Sequence, residues 1–375
     1  MRIKDRDSST EFSPSGGLTS ENVGCMWPTW SPNGSRLAYV RFELESSGGI
    51  GRATIQVADA DGTATIEAHH SEGVPIYFNW SPDGRRLAVL IQRGEALELE
   101  ISELADPART RSVIRGAPLY FAWHADSSSL LATVGSETTG SRLVWIDLES
   151  GEQNRVMAQR PSEGFRTPSW SSRLGSMTVA IAQGETQAIG TIEAPGADFE
   201  FLCPSGIGPA FGWSPSGEDL AVASRSTVDG PYDGLSICHL SSRSLERVSD
   251  ALLLAFFWCN DRQIAYVTGP VGDRVVGVRV VDVGSGNDTE HGFIRPSRDV
   301  LQLFSHFDQY AESARIVSPS GAELLFAASR AKEQENGSVP TVRQILVRPL
   351  TPADSDQVVG RGRIAVWRPM SVAGL

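Results

Sequence analysis

The segment 292–317, GFIRPSRDVLQLFSHFDQYAESARIV, gathers side chains able to move protons or hold charge: Arg295, Arg298, Asp299, His306, Asp308, Tyr310, Glu312 and Arg315. Read as extended chain, His306 and Asp308 lie two residues apart and face the same side, as a general base and its orienting carboxylate require. His306, Asp308 and Tyr310 are therefore the candidate catalytic residues, and Arg298, Glu312 and Arg315 the candidate ligand-binding residues around them. A cofactor-independent cyclase, lyase or hydrolase would need little more than such a cluster in a dry cavity, its pKa values shifted by burial and neighbours. The competing reading is structural: Asp308 and Tyr310 satisfy buried backbone groups where a long connection docks.

Other chemistry finds few carriers. There is no G-x-S-x-G, no H-E-x-x-H, no P-loop, no dinucleotide fingerprint and no EF-hand loop, and no cofactor is expected. Lysines stand only at 4 and 332, which leaves Schiff-base chemistry almost without candidates. The four cysteines, Cys25, Cys203, Cys238 and Cys259, form no C-x-x-C and read as small buried hydrophobes. Cys238 and His239 are neighbours, as are His69 and His70, but adjacent residues on a strand face opposite ways, so neither pair is expected to act together and no metal site is expected. Formal charge is 33 − 45 = −12 with scattered basic residues, which argues against a nucleic-acid partner. The longest apolar run, Ala251–Trp258, is far short of the roughly 20 residues that span a bilayer. The first thirty residues lack the apolar core of a secretory signal, so a cytoplasmic address is expected.

The elements that must position these residues come from a repeat. Trp30, Trp80, Trp123, Trp170, Trp213, Trp258 and Trp367 recur at intervals of 43 to 50 residues, except for a longer final gap that holds a degenerate copy with Val317 in the tryptophan place. After each comes a turn and then a short apolar strand, as in WSPNGSRLAYV at 30–40, WSPDGRRLAVL at 80–90 and WSPSGEDLAVA at 213–223. Proline fixes φ in the turn, Asn, Asp or Ser bonds the local backbone, and Gly takes the left-handed conformation. Two further strands follow, and no amphipathic helix is expected. Four short antiparallel strands per repeat predict an all-β fold, a β-propeller of four-stranded blades, with each tryptophan packed between neighbouring blades.

The motif W-S-P-[ND]-G-x-x-L-A, intact at 30–38 and 80–88 and nearly so at 213–221, resembles the propeller repeat of the TolB-like family. That repeat also occurs in the non-catalytic half of prolyl-oligopeptidase-type enzymes. The words Phe307-Asp308-Gln309-Tyr310-Ala311 resemble a segment found before the last blade of some bacterial TolB-like proteins, where a His and a Trp are expected further on; Ala314 and Val317 stand there instead. The resemblance implies a non-catalytic binding or scaffold protein for a protein partner or small molecule. A peptidase reading fails for want of a hydrolase domain.

Counting Arg363–Trp367 as an innermost strand gives eight blades, the last shared by both termini, with Met370–Leu375 as its second strand, Arg2–Asp5 as its third and the run through Gly17–Thr19 as its outer strand. Seven blades is the alternative. The whole chain, 1–375, reads as one propeller domain, with 292–316 as an inserted inter-blade segment.

Overall fold

Where the sequence reads Trp-Ser-Pro, and at Val317-Ser-Pro, the same hydrogen-bonded turn follows. In the computed structural model, Ser31 N–H donates to Arg36 O (2.8 Å), Ser81 to Arg86 (2.9 Å), Ser214 to Asp219 (2.8 Å) and Ser318 to Glu323 (2.8 Å). The glycine three residues after each serine bonds back to the serine carbonyl, with φ near +70° at Gly34, Gly84, Gly217 and Gly321. The serine does more than the turn consensus implies. Its buried hydroxyl accepts a second amide, Arg36 N–H at 3.0 Å, Arg86 at 2.9 Å, Asp219 at 3.2 Å and Glu323 at 3.1 Å, so the first residue after the turn is tied twice. Asn33 and Asp83 add the expected side-chain cap, each accepting from the serine hydroxyl and from the amide two residues on.

Described are residues 3–4, 11–12, 22–47, 49–70, 73–135, 141–155, 167–183, 186–227, 230–269, 275–311, 313–330, 344–351 and 355–370. Among them the architecture is β throughout except for two short helices. The chain divides into two compact units, one of 1–119 with 312–314 and 368–375, the other of 120–311 with 315–367.

The first unit holds two four-stranded antiparallel meanders. One runs Val23–Trp30, Arg36–Leu44, Ile50–Asp59, Thr65–His70; the other Val74–Trp80, Arg86–Arg93, Ala96–Glu103, Asp106–Gly116. Trp30 lies opposite Leu37 and Trp80 opposite Leu87, the same register in both. Their core is one apolar cluster that includes Ile55, Val57, Phe78, Trp80, Leu87 and Ile91, and the Trp80 indole N–H donates to Thr29 O at 3.0 Å across the seam. The strand after each turn is buried over consecutive residues, Leu37–Val40 and Leu87–Ile91, as expected for strands covered on both faces. Arg368 lays its guanidinium over Trp30, 5.2 Å from the ring centre, and bonds Gly34 O at 2.7 Å. Ile3–Lys4 pairs with Glu11–Phe12; residues 13–20 and 371–375, which the eight-blade closure also used, lie outside the described residues.

The second unit, from Tyr120 on, continues the pattern with a meander that ends at Arg155 and others spanning Ser169–Ser205 and Ile207–Ser249, then a seven-stranded sheet from Leu253 to Arg361. Trp213 faces Leu220 and donates its indole N–H to Thr178 Oγ1 (2.9 Å); Trp258 donates to Gly212 O (2.8 Å). Val317 bridges Leu324, seven residues on, so it occupies the tryptophan place as the repeat predicts. The strand expected at Arg363–Trp367 carries no strand pairing; Trp367 N–H instead donates to Arg315 O at 2.8 Å.

The expectation of no amphipathic helix is corrected by α1, Arg298–Ser305, and α2, Phe307–Tyr310. Ser297 caps α1, its hydroxyl accepting from Val300 N–H at 3.2 Å, and Val300, Leu303, Phe304 and Phe307 supply an i, i+3, i+4, i+7 apolar stripe.

Gly84 and Gly321 share a left-handed backbone but differ in surroundings. A Cβ on Gly84 would meet nothing nearer than Pro32 Cδ at 3.9 Å, while on Gly321 it would lie 2.0 Å from Cys259 O. Gly84→Ala is therefore expected to cost about 1 kcal/mol, the price of the φ alone. Gly321→Ala should cost clearly more in urea denaturation, and equal losses would contradict the steric account.

Candidate functional site

The helical excursion leaves and re-enters a single strand. Ile294–Pro296 pairs with the far end of Glu323–Arg330, and the chain returns at Ile316–Val317 to pair with the near end, where Leu325 N–H donates to Ile316 O. The segment expected between two repeats is thus inserted within the first strand of the last one. Its apolar stripe docks on the first strands of preceding meanders. Phe307 packs edge-to-face against Phe256 (4.9 Å) and Tyr232 (5.8 Å) and also meets Phe257 (6.0 Å), which Phe304 approaches from its other end (6.3 Å). Phe256 and Phe257 are thus the platform for this segment.

The six predicted site residues fall as follows. His306 is exposed, caps the end of α1 and begins α2, and its carbonyl accepts from Gln309 and Tyr310 N–H. Asp308 is half-buried, and its Oδ2 receives a long contact from Thr167 N–H, 3.5 Å, while Thr167 Oγ1 donates to Gln309 Oε1 at 3.3 Å. Tyr310 is buried, and desolvation pushes its hydroxyl up to about 12, which keeps it protonated. Arg298 is exposed at the first position of α1, next to Asp299, whose carboxylate takes a two-point ion pair from Arg363 at 2.8 and 3.1 Å. Arg315 is exposed, and Glu312 lies outside the described residues. The extended conformation that would have aimed His306 and Asp308 to one side is replaced by helical turns, in which residues two apart do not share a face.

Three polar clusters are not signalled by spacing along the chain. In the first unit His69 Nε2 meets Glu100 Oε2 at 2.8 Å, and Arg93 Nη2 meets Glu100 Oε1 at 2.8 Å. His69 is buried and His70 exposed, so the two histidines do alternate faces. Burial alone would raise the Glu100 carboxyl, but hydrogen bonds and charge from His69 and Arg93 outweigh it and hold the group below the usual carboxylate range. The cluster borders a cavity of about 520 Å³ whose wall includes Glu67, His70, Glu100, Thr110 and Ser112.

In the second unit Ser249, Tyr266, Arg279 and Asp288 form a network around the Tyr266 hydroxyl, beside a cavity of about 540 Å³. Register places Glu100 and Arg279 alike, each on a third strand and opposite Val89 or Tyr266, two residues from the partner of the tryptophan. Last, Cys203 and Cys238 meet thiol to thiol in the seam between two meanders. Among the described residues no group of three His, Cys, Asp or Glu is placed to hold a metal ion.

Two outcomes test this geometry. Phe307→Ala removes the aromatic anchor of the inserted segment and is expected to cost about 3–5 kcal/mol in urea denaturation; a loss under 1 kcal/mol would mean the segment is held by other groups. Because the folded-state pKa of Glu100 is depressed, its contribution to stability is full above the ordinary value of 4.5 and disappears as pH falls through the folded-state value. Glu100→Gln should therefore lower stability near neutrality and flatten the acid limb, whereas parallel curves for the two proteins would contradict the assignment.

The chain was compared with known proteins. The model of the TolB beta propeller domain matches residues 2–251. The Tol-Pal system protein TolB of Alcanivorax borkumensis is 34% identical over 76 residues, 20% of this chain and 16% of that protein's length. Among solved structures, the beta-propeller domain of the Trilobed protease from Pyrococcus furiosus aligns at a TM-score of 0.52 with 13% identity, over 90% of this chain and 97% of that one. An oligogalacturonate lyase in complex with manganese aligns at a TM-score of 0.52 with 14% identity, over 87% and 92%. At such identities these likenesses speak for the fold. The repeated Trp-Ser-Pro turn, the four-stranded meanders and the match over two thirds of the chain agree: this chain belongs to the TolB beta propeller domain family.

Proposed function

We propose that the chain is a non-catalytic binding or scaffold propeller that holds a protein partner, with the α1–α2 segment on its binding face. The observation that carries this reading is the two-sidedness of that segment. Its apolar stripe is spent on Tyr232, Phe256 and Phe257, while Arg298, Gln302, Ser305, His306 and Arg315 are exposed along it. A rigidly held helix presenting a polar, adaptable row is a surface suited to a partner, and loops mounted on a rigid scaffold are where such functions concentrate. Membership of the TolB beta propeller family is consistent with it. The expected cytoplasmic address goes with this reading and is checked by fractionation.

The same reading favours seven repeats. Among the described residues six meanders of four strands are followed by one in which 294–296 and 316–317 supply the first strand to Glu323–Arg330, Gln344–Pro349 and Gln357–Arg361.

The test compares the wild-type chain with an Arg298→Ala, Gln302→Ala, Arg315→Ala variant, immobilised and challenged with extract of the source cells. A protein retained by the first and lost from the second, at matched melting temperature, is the expected result. Turnover of a small molecule that His306→Ala or Asp308→Asn abolishes would replace this reading with the acid–base enzyme, Tyr310 then standing beside the proton-transfer pair.

A further inference from the structure

We infer that Cys203 and Cys238 form a disulfide when the chain folds in the presence of a small disulfide oxidant, bolting the meander that ends at Ser205 to the one that begins at Ile207. Cys203 stands on the outermost strand Glu200–Ser205, opposite Ile189, and Cys238 on the third strand Leu235–His239 of the next meander, opposite Leu220. Both are buried, at 0% and 2% exposure, in one apolar cluster with Leu202, Phe211 and Val222. Cys238 Sγ lies 3.8 Å from Leu202 O, the carbonyl of the residue before Cys203.

The same seam in the first unit shows that this closeness belongs to the repeat. Ser102 occupies the register of Cys238, opposite the residue seven after a tryptophan, and its hydroxyl bonds Ala68 O, the carbonyl before His69. His69, opposite Ile55, is the counterpart of Cys203. Third strand and neighbouring outer strand are thus held in contact by backbone geometry wherever the repeat is regular, and here both facing positions are cysteine.

While the seam is still open either cysteine can supply the attacking thiolate, and the steps are the same with the two exchanged. A Cys238 thiolate attacks a small disulfide such as oxidised glutathione, expelling one glutathione thiolate. Cys203 then gives up its proton and attacks the Cys238 sulfur, expelling the second. Two protein thiols are oxidised, one glutathione disulfide is reduced to two thiols, and the two protons pass to them. Burial of both sulfurs places this exchange during folding, before the seam closes.

The full chain is unfolded in urea and refolded by dilution into a buffer of oxidised and reduced glutathione. The expected product is about 2 Da lighter, yields a proteolytic peptide pair joined through 203 and 238, and melts several degrees above the dithiothreitol-treated chain. Cys25→Ser keeps all three effects and Cys238→Ser loses them. An unchanged mass, or a joined pair containing Cys25 or Cys259, overturns the inference. Should Cys238→Ser fail to fold, the peptide map of the unsubstituted chain decides alone.

Discussion

In each unit one seam between meanders is fixed by the indole N–H of a strand-end tryptophan reaching the main chain of the preceding meander. Trp80 bonds Thr29 O and Trp258 bonds Gly212 O, in each case the carbonyl just before the tryptophan of the earlier repeat. A bond of this kind fixes more than distance. It sets the height at which one sheet meets the next, because the donor projects from a ring that is itself mostly buried and the acceptor is main chain. Once that height is set, equivalent positions on successive sheets face one another, and the seam becomes a series of defined side-chain pairs rather than a greasy contact.

Why the tryptophan itself can be placed so reproducibly follows from the turn beside it. The buried serine hydroxyl and the left-handed glycine leave one way for the chain to reverse, so wherever this Ser-Pro turn occurs the residue seven positions on lies opposite the strand-end residue, as Leu37, Leu87, Leu220 and, after Val317, Leu324 do. The degenerate copy at Val317 keeps the turn and loses the indole, which separates the two roles. Reversal and register survive without the large ring; the inter-sheet bond does not.

The repeat was legible because its signals are local: Trp, Ser, Pro and Gly within five residues act through sterics and hydrogen bonds that need no tertiary information. The helices were not. Ser297, Asp299 and the spacing of Val300, Leu303, Phe304 and Phe307 are all helix signals, but eight residues inside a β repeat weigh little, and reading the segment as extended put His306 and Asp308 on one side. The seam pairs were illegible for a different reason. Cys203 with Cys238, His69 with Glu100, and Ser249 with Tyr266 are each separated by 17 to 35 residues, and only the register of two sheets brings them together. No motif encodes such a pair, although the repeat alignment, once drawn, lists the columns where pairs must occur.

The helical excursion departs after Pro296, opposite Ala328, and rejoins at Val317, opposite Leu324. Exit and re-entry are therefore four residues apart on one neighbouring strand, about 13 Å at the usual rise. A replacement whose ends bridge that gap and which still covers Tyr232, Phe256 and Phe257 can be exchanged without disturbing a ladder bond elsewhere, so the site behaves as a socket. Natural variation, or deliberate grafting of a foreign loop, can change what this part of the surface offers while the scaffold beneath stays as it is.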